Sequence, residues 1–337
     1  GVRSIDRVVD VVEESMRGNQ VHLFSENSSK EEMPRLDLPK IRRNKYIEII
    51  PINVGCLNNC TYCKTKHARG DLKSWPAEEI VARVRDVVAD GVREIRLTSE
   101  DVGAYGLDIG TTIVDLLREV AKEVEGTNVM IRVGMSNPPY LLRQLDDFSK
   151  LLAHPNFYEF IHIPVQSGSN AILGAMKREY TVEEFIQCCD TIRKHVPNVS
   201  IATDIICAFP GEGDAEWDET FKLCEELRFP ILNISRFYSR RGTPAAAMQQ
   251  IPSTIAKKRS VALTKMMEAA HGTLSSCSRP HTTSTISSDT PRPTFRSSST
   301  QPRQTLVRLL MWRSLVLGSG RLQGRLLVEA KPRKFSK

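Results

Sequence analysis

No apolar run in these 337 residues approaches the roughly 20 that a membrane-spanning helix needs. The nearest, Leu306 to Leu317, is cut by Arg308 and Arg313. A secretory leader is missing too, because Gly1 to Phe24 is amphipathic and carries acids throughout. A soluble chain in a cytoplasmic setting is therefore expected. The eight cysteines make no paired framework: three crowd into residues 56–63, while Cys188, Cys189, Cys207, Cys224 and Cys277 are scattered. That excludes a disulfide-stapled secreted domain and points to a reducing compartment with one metal site. Internal repeats are absent. Aliphatic residues nearly vanish between His271 and Arg303, where Ser, Thr, Pro and Arg dominate. Such a segment buries too little apolar surface to offset its ordering entropy, so a disordered basic tail is expected over 271–337.

Acidic residues are also scarce at that end. From His271 onward there are 12 Lys and Arg against 2 Asp and Glu, which leaves 35 of the 47 bases and 38 of the 40 acids before it. The net charge of +7 thus resides in the tail, and the remainder carries about −3. A basic tail attracts phosphates without sequence preference. It says little about what the main domain recognises.

What is present is a regular alternation. The patterning predicts a short helix over Ile5 to Glu14 and a polar linker over 25–45, followed by a β-rich run from Tyr46 to Val54. Strands are then predicted at Val92–Thr98, Val129–Val133, Phe157–Val165, Val199–Ala208 and Ile231–Phe237. Helices lie between them at Pro76–Asp90, Gly110–Val124, Pro138–Leu152, Asn170–Met176, Thr181–His195 and Asp214–Leu227. Six strands alternating with helices imply an α/β fold of parallel βαβ units. Two architectures fit, a doubly wound sheet or a partial (β/α) barrel. In either, a ligand site lies at the C-terminal ends of the strands.

The loop after the first strand carries Cys56-Leu57-Asn58-Asn59-Cys60-Thr61-Tyr62-Cys63, a C-x3-C-x2-C pattern. Structural zinc takes four tetrahedral ligands, commonly from two separated pairs. Here three thiolates stand together, and His67 is the one nearby candidate for a fourth. Three thiolates instead leave one iron of a cubane cluster open, and soft sulfur ligands suit such a cluster. An open iron can chelate the amino and carboxylate groups of S-adenosylmethionine (SAM). An electron passed to the sulfonium then gives methionine and a 5′-deoxyadenosyl radical, chemistry carried by the cofactors.

The cysteine pattern, with an aromatic before its last member, resembles the radical SAM superfamily. Further segments resemble its methylthiotransferases: Thr98 to Gly106 (TSEDVGAYG), His162 to Ser169 (HIPVQSGS), Met176 to Tyr180 (MKREY) and Thr203 to Glu212 (TDIICAFPGE). Cys63 to Gly70 (CKTKHARG) and Arg241 to Ala246 (RGTPAA) are similar to the branch acting on threonylcarbamoyladenosine in tRNA. The resemblance covers Gly1 to about Ala270 and implies a partial (β/α)6 barrel over 46–270. It implies a 4Fe-4S cluster on Cys56, Cys60 and Cys63, with SAM bound among Tyr62, Ser99, Glu100, Gln166, Ser167, Arg178 and Asp204. Of these, Tyr62 would pack near the adenine and Glu100 would accept from the SAM ammonium. Gln166 and Ser167 would bond the ribose, and Arg178 would face the SAM carboxylate or an RNA phosphate. Asp204, an acid inside an apolar strand, needs a partner. Lys64, Lys66, His67 and Arg69 would meet substrate phosphates. Cys188, Cys189, Cys207 and Cys224 read as packing residues.

The implied reaction places a methylthio group on C2 of N6-threonylcarbamoyladenosine beside the anticodon of a lysine tRNA, with an external electron donor. The family also carries a second 4Fe-4S cluster on an N-terminal domain, a C-terminal RNA-binding barrel and, in animals, an anchor to the endoplasmic reticulum. Residues 1–24 resemble only the end of that N-terminal domain, and Cys56 is the first cysteine. The expectation is a truncated chain with an atypical end. Ala208 stands where glycine is usual, and Gly213 where threonine is. Two other readings follow: a radical SAM domain that binds cluster and SAM without methylthiolating, and a zinc-binding interaction module.

Overall fold

The computed structural model describes residues 2–21 and 33–274. The tail expected to be disordered lies outside the described residues, apart from the helical end that reaches Leu274. Contacts divide the described chain into two units. The smaller comprises Arg7–Val21 and Pro39–Ile41 and contains helix α1 (Val8–Met16), which buries none of its residues.

The larger unit holds strands β1 (Ile47–Pro51), β2 (Asn53–Val54), β3 (Lys73–Ser74), β4 (Glu94–Thr98), β5 (Met130–Val133), β6 (Phe160–His162), β7 (Ser200–Cys207) and β8 (Ile231–Arg236). Its helices are α2 (Thr65–Arg69), α3 (Ala77–Ala89), α4 (Ile113–Val124), α5 (Pro138–Leu142), α6 (Leu145–Leu152), α7 (Asn170–Ala175), α8 (Val182–His195), α9 (Asp214–Leu227), α10 (Pro244–Ala247) and α11 (Ser253–Leu274). Strands β1, β4 and β5 pair in parallel, as do β6, β7 and β8. Parallel bridges Ile131–Phe157 and Met135–His162 join the two sets. The six long strands therefore run in chain order without the reversal that marks a doubly wound sheet. The architecture is a partial (β/α)6 barrel.

The strand period of two sets the layers. Ile50, Ile95, Leu97, Ile131, Val133, Ile161, Ile201 and Ile205 are buried under the helices. The apolar stripes of α3 (Ile80, Val84, Val87) and α4 (Ile113, Leu116, Leu117, Val120, Val124) supply the opposing surface. Caps mark helix starts where the sequence placed them. Thr181 Oγ1 accepts from Glu184 N at 3.3 Å while Thr181 N donates back to Glu184 Oε2 at 2.8 Å.

Two expectations need correction. The helix predicted over Pro138–Leu152 is broken between α5 and α6, where Gln144 leaves helical φ at −142°. Its Oε1 instead accepts from Val114 N, in the first turn of α4, at 3.3 Å. A tertiary partner for an orphan helical N–H outweighs one turn's continuity. The run Tyr46–Val54 is also not one strand. After β1 the chain passes Ile52 and pairs Asn53–Val54 with Lys73–Ser74 in an antiparallel β2–β3 ribbon.

Ala208, at the end of β7, has φ +60°. An L residue there carries about 1–2 kcal/mol of strain. Glycine would relieve it while raising the entropy of the unfolded chain by about 0.5–1 kcal/mol. Ala208→Gly is expected to stabilise the protein by about 0.5–1 kcal/mol. The backbone hydrogen bond from Ala208 N to Glu212 Oε2, 2.6 Å, is untouched by the change. A lower urea midpoint than the parent's would refute this.

Candidate radical SAM site

The cysteine loop follows β2, just beyond the C-terminal end of β1, and is anchored by several hydrogen bonds. Cys56 N donates to Gly70 O at 3.2 Å, and Thr61 N to Met176 O at 3.0 Å. Thr61 Oγ1 donates to Ala175 O at 2.9 Å, and Ala245 N to Thr61 O at 3.0 Å. Gly55, at φ +80°, sits so close to Asp71 that an added Cβ would lie 2.0 Å from the Asp71 carbonyl oxygen. Only glycine lets the chain enter the loop at that point.

All three thiols are half-buried and free. Burial pushes the Cys56 thiol up to about 11, with Asp101, Cys60 and Cys63 adding to the effect. Among the described residues no three His, Cys, Asp or Glu side chains gather as a single metal ion requires. His67, the candidate fourth zinc ligand, is exposed on α2. A cubane asks for something different, one thiolate for each of three irons, and this donor set fits that group. Cys63 Sγ accepts from Thr65 N at 3.4 Å and lies 3.1 Å from the Thr65 hydroxyl. Cys60 Sγ accepts from Arg178 at 3.4 Å.

The residues expected around SAM divide into two groups. Tyr62 is half-buried within the loop, edge-on to Phe209 with centroids 6.2 Å apart. Gln166 ends the stretch after β6 at φ +72°, and its backbone bridges to β7 through Asp204 O and Ile206 N. A non-glycine residue in that conformation is strained, as side chains at functional sites often are. Asp204 faces the barrel interior, accepting from Asn233 at 2.8 Å and lying 2.8 Å from His162 Nε2. These are the partners that an acid in an apolar strand requires.

The others are committed to protein neighbours. Glu100 pairs with Arg69 at 3.5 Å, both about one-third exposed, so the pair holds it weakly. Ser99 Oγ accepts from Asp101 N. Ser167 is fully buried, with its hydroxyl 3.2 Å from that of Thr220 on α9. Arg178 is enclosed by Cys60, Asn137, Tyr180 and Pro164. Of the flanking cations, Lys66 donates to Leu57 O in the loop, and Lys64 donates to Gly242 O, after β8.

Sequence reasoning missed two features. The first is the polar lining around Asp204, where Glu94, Arg96, Arg132, His162 and Asn233 stand with it on the strand faces opposite the core. The strand periodicity of two contained this signal. The second is Asp101, fully buried, which accepts from Asn137 Nδ2 at 2.6 Å and Gly103 N at 3.1 Å. Burial pushes its carboxyl up to about 6 against those hydrogen bonds and the Arg178 charge. Cys188, Cys189, Cys207 and Cys224 are buried in the core, as expected.

The fold and the three-thiol loop define a radical SAM protein, and the family model described as "Radical SAM superfamily" matches residues 50–224. The chain belongs to that superfamily. It is 52% identical over 272 residues to the human "Threonylcarbamoyladenosine tRNA methylthiotransferase", covering 80% of this chain and 47% of that protein. The Drosophila melanogaster protein of the same name is 53% identical over 271 residues, covering 79% and 49%. A "Probable threonylcarbamoyladenosine tRNA methylthiotransferase" of Pyrococcus abyssi is 42% identical over 260 residues, covering 77% and 60%. The chain spans about half the length of the human and Drosophila melanogaster proteins. Among solved structures, the radical S-adenosylmethionine methyltransferase TsrM from Kitasatospora setae superposes with a TM-score of 0.51 at 17% identity, over 59% of this chain and 38% of that one. That match concerns the fold. Among the described residues, no helix is long and apolar enough to cross a membrane.

Proposed function

We propose that this chain is the catalytic core of a tRNA methylthiotransferase acting on threonylcarbamoyladenosine. Cys56, Cys60 and Cys63 would hold a 4Fe-4S cluster, which would supply the electron for reductive cleavage of SAM. The carrying observation is the three-thiol loop at the mouth of a polar-lined barrel, in a chain about half identical to proteins of that name. Tyr62 in the loop and Gln166 after β6 offer a stacking face and an amide to the nucleoside. The lining provides hydrogen-bonding groups for a base turned into the barrel, as modified nucleotides in RNA loops require. The substrate is a lysine tRNA, and a low-potential protein supplies the electron.

The test is anaerobic reconstitution with iron and sulfide, then SAM, a strong reductant and threonylcarbamoylated lysine tRNA. One cubane per chain, release of 5′-deoxyadenosine and a methylthiolated nucleoside by mass spectrometry support the reading. 5′-Deoxyadenosine without modified RNA favours a core that cleaves SAM uncoupled from product. Zinc binding without SAM cleavage defeats both.

A further inference from the structure

The loop and the barrel meet at one buried chain of polar groups. Asp101 follows β4, Asn137 opens α5, Arg178 follows α7 and Cys60 lies in the cysteine loop. Asn137 Nδ2 donates to the fully buried Asp101 carboxylate at 2.6 Å. That bond fixes which way the amide faces, and its Oδ1 accepts from Arg178 Nη2. Arg178 Nε lies 3.3 Å from the Tyr180 hydroxyl, and Tyr180 in turn donates to Val165 O at 2.6 Å. The remaining nitrogen, Nη1, donates to Cys60 Sγ at 3.4 Å. The chain reaches Arg178 through Lys177 at φ +54°, a left-handed conformation that is strained for an L residue. Strain of this kind persists where the surroundings over-determine a position.

We propose that Arg178 is a positioning residue that sets the reduction potential of the cluster, with Asp101 and Asn137 holding it against the Cys60 sulfur. The inference rests on the cluster assignment to Cys56, Cys60 and Cys63. Reduction adds negative charge to the cluster and its sulfur ligands. A cation donating to one of those sulfurs from a site of low dielectric favours the reduced form. A guanidinium is suited to this, because it stays charged on burial and its fork bonds several partners in fixed geometry. With its nitrogens engaged on Cys60, Asn137, Tyr180 and Pro164 O, Arg178 contacts the cluster ligand rather than a substrate carboxylate. Orientation of a ligating group by its outer hydrogen-bond partners is a general way of tuning a metal centre.

The test is a redox titration, followed by electron paramagnetic resonance, of the anaerobically reconstituted full chain and its Arg178→Gln, Arg178→Lys and Asn137→Leu variants. Arg178→Gln is expected to lower the reduced-to-oxidised ratio at a fixed potential about tenfold, a shift of about 59 mV to more negative values for one electron. Arg178→Lys keeps the charge and should stay within about threefold of the parent. Asn137→Leu removes one of the partners that hold Arg178 and should shift the ratio in the same direction by a smaller amount. A purely structural role would change iron content and leave the potential where it was. Arg178→Gln with four irons per chain and the parent's potential overturns the inference. Should that variant take up no cluster, an unshifted Asn137→Leu overturns it equally. A parent chain that assembles no cubane defeats the cluster assignment itself, which is a separate outcome.

Discussion

Replacing Cys60 with alanine is expected to bring 5′-deoxyadenosine release by the reconstituted chain down to background. That is a loss on the order of 10³-fold or more, or about 4 kcal/mol of activation free energy. Removing one of three thiolates leaves a cubane with two exposed irons, and the cluster falls apart instead of reacting more slowly. Iron and sulfide per chain should drop together with the activity. The same substitution at Cys189, buried on α8, makes the informative contrast. It should lower thermal stability through the lost packing, while clusters per chain and turnover per cluster match the parent. Equal rates for the parent and Cys60→Ala would end the assignment of this loop as the metal site.

A second large effect is expected at a position with no part in the chemistry. Arg259 on α11 donates to Glu212 Oε2 at 2.7 Å, to Glu212 O at 2.9 Å, to Gly213 O at 2.9 Å and to Asp214 Oδ1 at 2.8 Å. The Arg259 side chain is 6% exposed and that of Glu212 0%. This clamp fastens α11 to the loop after β7, the loop that begins at the strained Ala208. Glu212 Oε1 has no hydrogen-bond partner, and burial pushes the carboxyl up against the pull of Ala208 N and Arg259. Arg259→Ala would leave that carboxylate buried without its cation. The expected cost is about 3–5 kcal/mol, seen as a fall in Tm on the order of 10 °C. Joint replacement, Glu212→Gln with Arg259→Met, removes both charges and should recover a large part of the loss. If Arg259→Ala melts within about a degree of the parent, the pair contributes nothing and this account of α11 is wrong.

Much of this was legible along the chain. The alternation of β-rich runs with amphipathic stretches placed the strands and helices that form the barrel. C-x3-C-x2-C on the loop after the first strand placed the thiols at the strand ends, where such folds keep their sites. Adjacent Cys188 and Cys189 read as packing because neighbours on a helix point in different directions, and both are in the core. Glu48 was less transparent. It reads as a polar break in an apolar run, yet it is 1% exposed and paired with Arg42 and Arg83.

What the sequence determined by itself is therefore local: the periods of two and 3.6, the caps, and the ligand spacing within one loop. These depend on residues a few positions apart, whose geometry the backbone dictates. The tertiary structure alone decided which distant polar groups meet. The sequence says nothing of the contact that the fold makes between Arg178 and Cys60, 118 residues away. Nor does it say that α9 brings the Thr220 hydroxyl to Ser167. A buried polar group takes the partner that closing the barrel brings within about 3 Å, and no period along the chain encodes that choice.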